Sequence, residues 1–299
     1  MSRYIVGVDI GGTFTGTALF DEALNLIHGC EVVKTTAMRS GDELIEHILG
    51  SVDAGLAQQN ATRSDVAGMG IGAPGPLDLE RGTVLDTPNV PILTQFPLKE
   101  RMGQASGLPV LLDNDANVFT LGEAKQGAAR GYPYVLGVTL GTGFGWGIVL
   151  NGGVYHGATG TAAEYGLSPW REEGRTWEDD ISVQGLLSFY RGQGGRAESP
   201  QEVAKLAGKG ETTALDAWNA YGQVLGLALC HGVNLIDPHI VVVGGAMARA
   251  WDYFSPTMLE TLRRHIFALP RERLKVVPSQ LGELAALYGA ACQIEAIAS

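Results

Sequence analysis

Two aspartates and two asparagines lie together in the segment 113–117, which reads DNDAN. The segment follows the short apolar stretch LPVLL, which is typical of a buried strand, and it opens a stretch with helical spacing. One carboxylate here can cap the helix that is predicted to begin at Ala116. A second carboxylate is then free to orient a hydroxyl group and accept its proton. The segment therefore indicates a candidate general base, because capping alone does not need all four polar residues.

Three glycine-rich turns follow strand-like stretches elsewhere in the chain. Glycine lacks a Cβ atom, so backbone N–H groups at such turns can approach phosphate oxygens. In the first turn a threonine hydroxyl adds a donor, and an aspartate could hold Mg²⁺ through water. The alternative for the first turn is a tight hairpin with an incidental aspartate, but the three turns together favour a phosphate or nucleotide cleft. The turn residues are Asp9, Gly11, Gly12, Thr13, Thr142, Gly143, Gly244 and Gly245.

A GxGxxG motif occurs at 70–75, after a predicted strand. It is a poor dinucleotide-binding fingerprint, because Pro74 and Pro76 lead into LDLERGTV, which offers no helix to receive a pyrophosphate. The chain also lacks the GxxxxGK(S/T) motif of P-loop enzymes. The motifs therefore argue against both the Rossmann and the P-loop types of nucleotide site.

Predicted strands and helices alternate along the chain, which indicates an α/β fold. The helix assignments depend on apolar residues at helical spacing and on stop signals such as Asp237-Pro238. The predicted strands are Tyr4–Asp9, Thr15–Phe20, Val66–Ile71, Val110–Leu112, Tyr134–Leu140, Gly145–Leu150, His239–Val243 and Leu274–Val277. The predicted helices are Asp42–Leu56, Ala116–Lys125, Ala214–Leu235 and Glu283–Ile297.

One layout occurs twice in the chain. The stretches IVGVDIGGTFTGTALFD and VLGVTLGTGFGWGIVLN each read as a strand, a Gly/Thr turn and a second strand. Two copies of one layout predict two similar lobes, with a ligand in the cleft between their turns. The alternative is a pair of unrelated glycine hairpins.

The composition describes a globular chain without a broad nucleic-acid surface. The 299 residues are 45% hydrophobic and 18% charged, and the net charge of -11 does not suit a polyanionic partner. No apolar run approaches membrane-spanning length, and no signal-peptide pattern precedes the first strand. The three cysteines, Cys30, Cys230 and Cys292, lie far apart, as is typical of reduced thiols. We therefore expect a cytoplasmic protein with no membrane or nucleic-acid partner.

The order of the motifs resembles that of the ROK family of sugar kinases and sugar-sensing regulators. The matching segments span nearly the whole chain and are VGVDIGGT, GIGAPGPLD, TPNVP, DNDAN, LGTGFG, GTAAEYG, VNLIDPHIVVVGGAM and ELAALYGAA. The resemblance implies a two-lobed actin/hexokinase-like fold of RNase-H-like lobes, with ATP, Mg²⁺ and a hexose-type sugar in the cleft between them, and a homodimer. We expect a first lobe over 1–113 and a second over 114–282, with the helix 283–299 packing back on the first.

The resemblance also implies roles for individual residues. Asp115 matches the catalytic base, which takes the proton of the attacking sugar hydroxyl. The first two glycine turns match the site of the phosphates and the metal, and the third matches a turn beside the adenosine. The residues that match sugar ligands are Asn89, Asn114, Glu164 and Glu178, with Asp179 as the alternative to Glu178.

Several positions depart from the family pattern. Leu167 stands where many members have a histidine, and the segment SPWREEGRTWEDDISVQG contains no Cys or His where they have zinc-binding cysteines. We therefore expect no structural zinc. Trp170 and Trp177 are candidates for ordering this loop by packing instead. Phe14 replaces a small or basic residue and could change the contacts of the first turn.

We expect an ATP-dependent kinase for a hexose or a close derivative, with glucose as the first acceptor to test. Fructose, N-acetylmannosamine and other acetamido sugars stay open, because the altered region 167–183 would contact the anomeric side of the sugar. The other class considered is a non-catalytic sugar sensor. The regulators carry an N-terminal helix-turn-helix, for which a chain that begins at VGVDIGG leaves no room, and Asp115 is present. Of the histidines, His156 is expected to help shape the acceptor site, and His231 to be a packed or capping residue and not a ligand.

Overall fold

The computed structural model describes residues 4–29, 32–171 and 174–298. Its strands are β1 (Tyr4–Ile10), β2 (Phe14–Asp21), β3 (Leu26–Gly29), β4 (Val33–Lys34), β5 (Val66–Ala73), β6 (Leu77–Asp78), β7 (Thr83–Val84), β8 (Val110–Asn114), β9 (Tyr134–Leu140), β10 (Phe144–Leu150), β11 (Gly153–Val154), β12 (Ile240–Gly244) and β13 (Lys275–Pro278). Its helices are α1 (Gly41–Gln58), α2 (Leu98–Ser106), α3 (Asp115–Gln126), α4 (Trp177–Ile181), α5 (Val183–Gly192), α6 (Pro200–Ala207), α7 (Thr212–Ile236), α8 (Trp251–His265), α9 (Ala268–Arg273) and α10 (Ala285–Ala298).

The first sheet has the strand order β3-β2-β1-β5-β8, with β4 also paired to β2. β1 and β2 form an antiparallel hairpin, whereas β1, β5 and β8 run parallel. The register places Asp9 opposite Gly72, and Gly72 opposite Asp113. The first glycine turn and the 113–117 segment therefore leave the sheet at the same edge.

The second sheet repeats this order as β11-β10-β9-β12-β13. Here too the first two long strands, β9 and β10, form an antiparallel hairpin, and β9, β12 and β13 run parallel. The repeated layout that the sequence indicates is thus present as two sheets of equivalent topology. Because Gly244 lies opposite Thr139, the second and third glycine turns also leave their sheet at one edge.

Helices α3 and α10 pack between the two sheets. α10 lies on β1 and β5 and crosses α3, while α3 also contacts β9 and β10. Glycines make the approach close: a Cβ atom on Gly70 would lie 1.8 Å from the Ala290 carbonyl oxygen, and one on Gly289 would lie 1.7 Å from the Val118 carbonyl oxygen. The C-terminal helix thus packs on the first sheet, whereas the division of the chain at residue 113 stays a prediction.

Each element predicted from the sequence is present, with bounds shifted by a few residues. The sequence reading omits the shorter strands and several helices, among them α5, α6 and α8. α8 carries Pro256 in its interior, which hides a helical row of buried residues at Phe254, Met258 and Leu262. Within the described ranges, no helix is both long and apolar enough to cross a membrane.

We predict that Gly289→Ala lowers the free energy of unfolding by ~2 kcal/mol or more, because the new methyl group overlaps the α3 backbone and the helices must separate. Gly50→Ala is the matched control, since Gly50 also lies inside a helix but a Cβ atom there meets nothing within 4 Å. The control should stabilise the protein by roughly 0.5–1 kcal/mol through the unfolded chain. Urea denaturation measures both, and equal effects would contradict close α3–α10 packing.

Candidate active site

The site is built where the parallel strands of both sheets end. β1, β5 and β8 deliver Asp9, the 72–75 segment and the 113–117 segment to the cleft. β9 and β12 deliver the turns at 141–143 and 244–245. Gly245 has φ of 83° and lies so near the end of β9 that a Cβ atom would come within 2.3 Å of the Leu140 carbonyl oxygen. The two turns of the second sheet are therefore neighbours, and only glycine fits between them.

The 113–117 segment turns the chain from β8 into α3. α3 begins one residue earlier than predicted, and its cap is the Asn114 amide and not a carboxylate: Asn114 Oδ1 accepts a hydrogen bond of 2.9 Å from the Ala116 N–H. Asn114 takes this position because its backbone is extended directly before the first helical residue. Asp115 Oδ1 shares the same N–H at 2.8 Å, so the Asp115 carboxylate is held at the helix N-terminus.

Asp113 stabilises this segment through hydrogen bonds. It is 3% exposed, and its Oδ1 accepts hydrogen bonds from the Asn114 N–H at 2.7 Å and the Asn117 side chain at 2.8 Å. Its Oδ2 pairs with His156 Nε2 at 2.7 Å. This hydrogen bond to Asp113 raises the pKa of His156. The pair links the glycine-rich loop after β11 to the 113–117 segment, and the role of His156 in shaping the acceptor site stays a prediction.

Four carboxylates gather around the cleft. Burial, and then the charge of nearby Asp115, raise the pKa of Asp9 to about 7. Burial also raises the pKa of Asp115 to about 6; the charges of Glu164 and Glu178 add to this, while the Ala116 N–H opposes it. Asp9 and Asp115 are nevertheless only partly buried as residues. A bound cation, or hydroxyl groups that donate hydrogen bonds, would therefore stabilise the charged form of these carboxylates.

Glu164 and Asn114 converge on one point of the cleft. A Cβ atom on Gly75 would lie 3.0 Å from Glu164 Oε1 and 3.1 Å from Asn114 Nδ2. Although Glu164 as a residue is exposed, its carboxylate is partly withdrawn from water; this burial first, and the charge of Glu178 second, raise its pKa. The preceding Ala163 has φ of 72°, a strained conformation that directs the turn bearing Glu164.

Glu178 and Asp179 are placed differently, although they are adjacent in the chain. Glu178 Oε2 accepts a hydrogen bond of 2.8 Å from the Phe144 N–H and lies beside Gly143 in the second turn. Asp179 instead forms a capping box with Thr176, accepting a hydrogen bond of 2.8 Å from the Thr176 N–H. That backbone hydrogen bond lowers the pKa of Asp179. The structure thus brings Glu178, and not Asp179, to the cleft.

The remaining predicted residues lie around the same space. Asn89 packs on Gly12, where a Cβ atom would lie 3.2 Å from the Asn89 carbonyl oxygen. Thr13 and Thr142 are exposed on their turns, and the Phe14 side chain is 54% exposed while its carbonyl closes the first turn by accepting the Gly11 N–H. Leu167 is 59% exposed.

Over residues 4–29, 32–171 and 174–298, no group of three or more His, Cys, Asp or Glu side chains is arranged to hold a metal ion. His231 is an exposed residue whose Nδ1 lies 2.7 Å from the Tyr165 hydroxyl and whose ring contacts Trp177. Cys230 and Cys292 are buried, and Cys30 lies outside the described residues.

The comparison with known proteins decides the family. The pattern of the ROK family matches residues 5–296. The chain belongs to the ROK family. The resemblance inferred from the motifs is therefore confirmed, and with it the two-lobed actin/hexokinase-like fold of this family, in which the cleft between lobes is the site described above.

Relatives and solved structures of the ROK family match this chain along most of its length. It is 31% identical to a glucokinase of Halalkalibacterium halodurans over 296 residues, which cover 90% of this chain and 87% of the relative. It is 28% identical to an N-acetyl-D-glucosamine kinase of Histophilus somni, covering 95% of this chain and 97% of that one. A ROK family glucokinase of Streptomyces griseus, solved in complex with glucose and AMPPNP, superposes with a TM-score of 0.81 at 29% identity, covering 97% of this chain and 98% of that one.

Some residues that shape the site could not be identified from the sequence. The link between Asp113 and His156 joins residues that are 43 positions apart, and only the excess of polar residues in DNDAN indicated an additional role there. Gly75 belongs to a motif that the sequence analysis rejected as a dinucleotide fingerprint. Asp180, which is 2% exposed at the end of α4, carried no signal beyond its charge.

Proposed function

We propose that this ROK family protein is a sugar kinase that transfers the γ-phosphoryl group of ATP to a hydroxyl group of a hexose or a close derivative, with glucose as the first acceptor to test. The observation that carries the proposal is the position of Asp115. Its carboxylate lies at the N-terminus of α3, within electrostatic reach of Asp9, Glu164 and Glu178, where the strands of both sheets end.

Asp115 is the proposed general base. It accepts the proton of the attacking hydroxyl as the sugar oxygen bonds to the γ-phosphorus and the bond from that phosphorus to the departing ADP oxygen breaks. A pKa of about 6 leaves Asp115 mostly ionised near neutral pH, yet basic enough to take up a proton. The Ala116 N–H holds the carboxylate oriented while it does so.

The glycine turns are the proposed phosphate site. Backbone N–H groups near Gly11, Gly12 and Gly143 can approach phosphate oxygens, with hydroxyl donors from the exposed Thr13 and Thr142. Gly244 and Gly245 would border the adenosine. Asp9 suits Mg²⁺ held through water, because its carboxylate has a second negative charge nearby and Mg²⁺ retains much of its hydration shell. When bound, Mg²⁺ neutralises phosphate charge during transfer.

The acceptor site is proposed beside Asp115. Asn89, Asn114, Glu164 and Glu178 would hydrogen-bond the hydroxyl groups of the sugar, since amides and carboxylates hold defined donor and acceptor patterns. The convergence of Asn114 Nδ2 and Glu164 Oε1 near Gly75 supports this. Acetamido sugars, including N-acetylmannosamine, and fructose are the alternative acceptors, and the N-acetyl-D-glucosamine kinase relative favours testing the acetamido class.

Three coarser features complete the proposal. A cytoplasmic location is expected because the three cysteines are few and lie far apart in the sequence. A homodimer is expected from the family resemblance. We also propose that no structural zinc is bound, because the segment between Leu167 and Val183 contains no Cys or His.

We predict that the purified protein releases ADP with at least one sugar in a panel of glucose, mannose, fructose, N-acetylglucosamine and N-acetylmannosamine. Asp115→Asn should lower kcat by roughly 10²–10⁴-fold, because the base is lost while the hydrogen bond to Ala116 is kept. Unchanged circular dichroism would show an intact fold. No phosphorylated sugar with any acceptor would overturn the proposal, and calorimetric sugar binding without ATP binding would favour a sensor instead.

The raised carboxylate pKa values predict an acid limb in the pH profile. Protonation of Asp115 removes the base, so kcat/KM should rise with pH and level off above the pKa of about 6, with Asp9 at about 7 able to broaden the limb. Initial rates with excess coupling enzymes, checked for their own pH dependence, measure this. A profile that stays flat down to about pH 5 would contradict the assignment of Asp115 as base.

A further inference from the structure

Glu178 is held in the cleft by a helix too short to be stable alone. α4 has five residues, whereas isolated helices need roughly 12–15 residues to form in water. Glu178 nevertheless makes a 2.8 Å hydrogen bond to the Phe144 N–H beside the second glycine turn. Contacts outside the helix must therefore fix α4.

Aromatic stacking supplies one part of that support. The rings of Trp170 and Trp177 stack with their centroids 4.3 Å apart and an interplanar angle of 12°. Trp177 is 3% exposed and also contacts the rings of Tyr165 and His231. The stack attaches the first residue of α4 to the loop before it and to α7.

A buried carboxylate supplies the other part. Asp180 is 2% exposed, and it pairs with Arg175 through Oδ1 and with Arg171, whose Nε lies 3.5 Å from Oδ2. The Arg171 guanidinium also lies over the Trp170 ring, 4.2 Å from its centroid. The loop is closed by a bridge between Pro169 and Thr176, with the Trp170 N–H donating to the Arg175 carbonyl at 3.0 Å.

The ion pairs and the tryptophan stack all lie within one short segment of the chain. The charged residues and the tryptophans lie on the same short loop and α4, and Asp180 lies two residues after Glu178. Burying a carboxylate without a cationic partner costs folding free energy, and Arg171 and Arg175 are the cationic partners of Asp180. We propose that Asp180, paired with Arg171 and Arg175 and joined to the Trp170–Trp177 stack, is a metal-free brace that positions Glu178 and thereby sets the affinity for the acceptor sugar.

The consequence for binding depends on the proposed function, in which Glu178 is a sugar ligand. Asp180, Arg171 and Arg175 are then positioning residues, because they act through Glu178. Their loss should weaken sugar binding more than nucleotide binding. The brace itself can be tested without sugar or turnover, so the two proposals can fail separately.

The test compares Asp180→Asn with wild type by hydrogen–deuterium exchange of the segment 168–181 and by calorimetric titration with the preferred sugar and with AMPPNP. We expect exchange in the segment to accelerate and the sugar Kd to rise ~10-fold, with the AMPPNP Kd changed less than ~2-fold, as for other residues that orient a ligand-binding group. Wild type is measured before and after dialysis against EDTA, and faster exchange after this treatment would overturn the metal-free brace.

Two further variants keep the test interpretable. Arg171→Gln with Arg175→Gln removes the cationic partners at half-exposed positions, so it should reproduce the effect even if Asp180→Asn fails to fold. Asp53→Asn is the matched control, since it weakens the pair between Asp53 of α1 and Arg63, with a contact of 2.6 Å, and it should leave both measurements unchanged.

The outcomes separate the claims. Unchanged exchange in both brace variants would overturn the brace whatever the activity. Faster exchange with unchanged sugar affinity would overturn its positioning role. A wild-type protein that binds no sugar would overturn the proposed function and the positioning role with it, while the exchange data would still decide whether the brace exists.

Discussion

The burial of carboxylates and their mutual repulsion are the constraint around which this site is arranged. Burial first, with the charges of neighbouring carboxylates contributing, raises the pKa values of Asp9, Asp115 and Glu164, and Glu178 is one of those neighbours. Such a cluster exists only if the fold forces it together. Backbone N–H donors hold Asp115 and Glu178 in place. The strand register fixes Asp9 beside Gly72, near the end of β5. The same repulsion makes the cleft receptive to Mg²⁺ and to hydroxyl donors.

The register is maintained because the two sheets are connected through closely packed helices. α10 packs against Gly70 of β5, and Gly289 of α10 packs against Val118 of α3. Neither glycine has room for a side chain. α3 carries Asp115 at its N-terminus and contacts both sheets. A rigid α3 therefore places the candidate base where both lobes end.

Much of the cleft could be predicted from sequence because it depends on local rules. Gly11, Gly143 and Gly245 end strands, and a strand end in an α/β fold lies at the ligand edge. The rest depends on contacts that local patterns do not encode. The role of Asn114 as cap depends on its extended backbone directly before α3, and the Asp113–His156 pair joins separate elements. α8 was hidden by Pro256, and the role of Asp180 required knowing that it is buried.

The central claim is that the glycine turns of both lobes and Asp115 surround one phosphoryl-transfer site. A crystal structure of the protein with its accepted sugar, AMPPNP and Mg²⁺ tests this most directly. The account predicts a sugar hydroxyl oxygen about 2.6–3.2 Å from an Asp115 carboxylate oxygen, with the phosphates on the turns at 11–13 and 141–143. A sugar bound without contact to Asp115, or phosphates away from both turns, would contradict it.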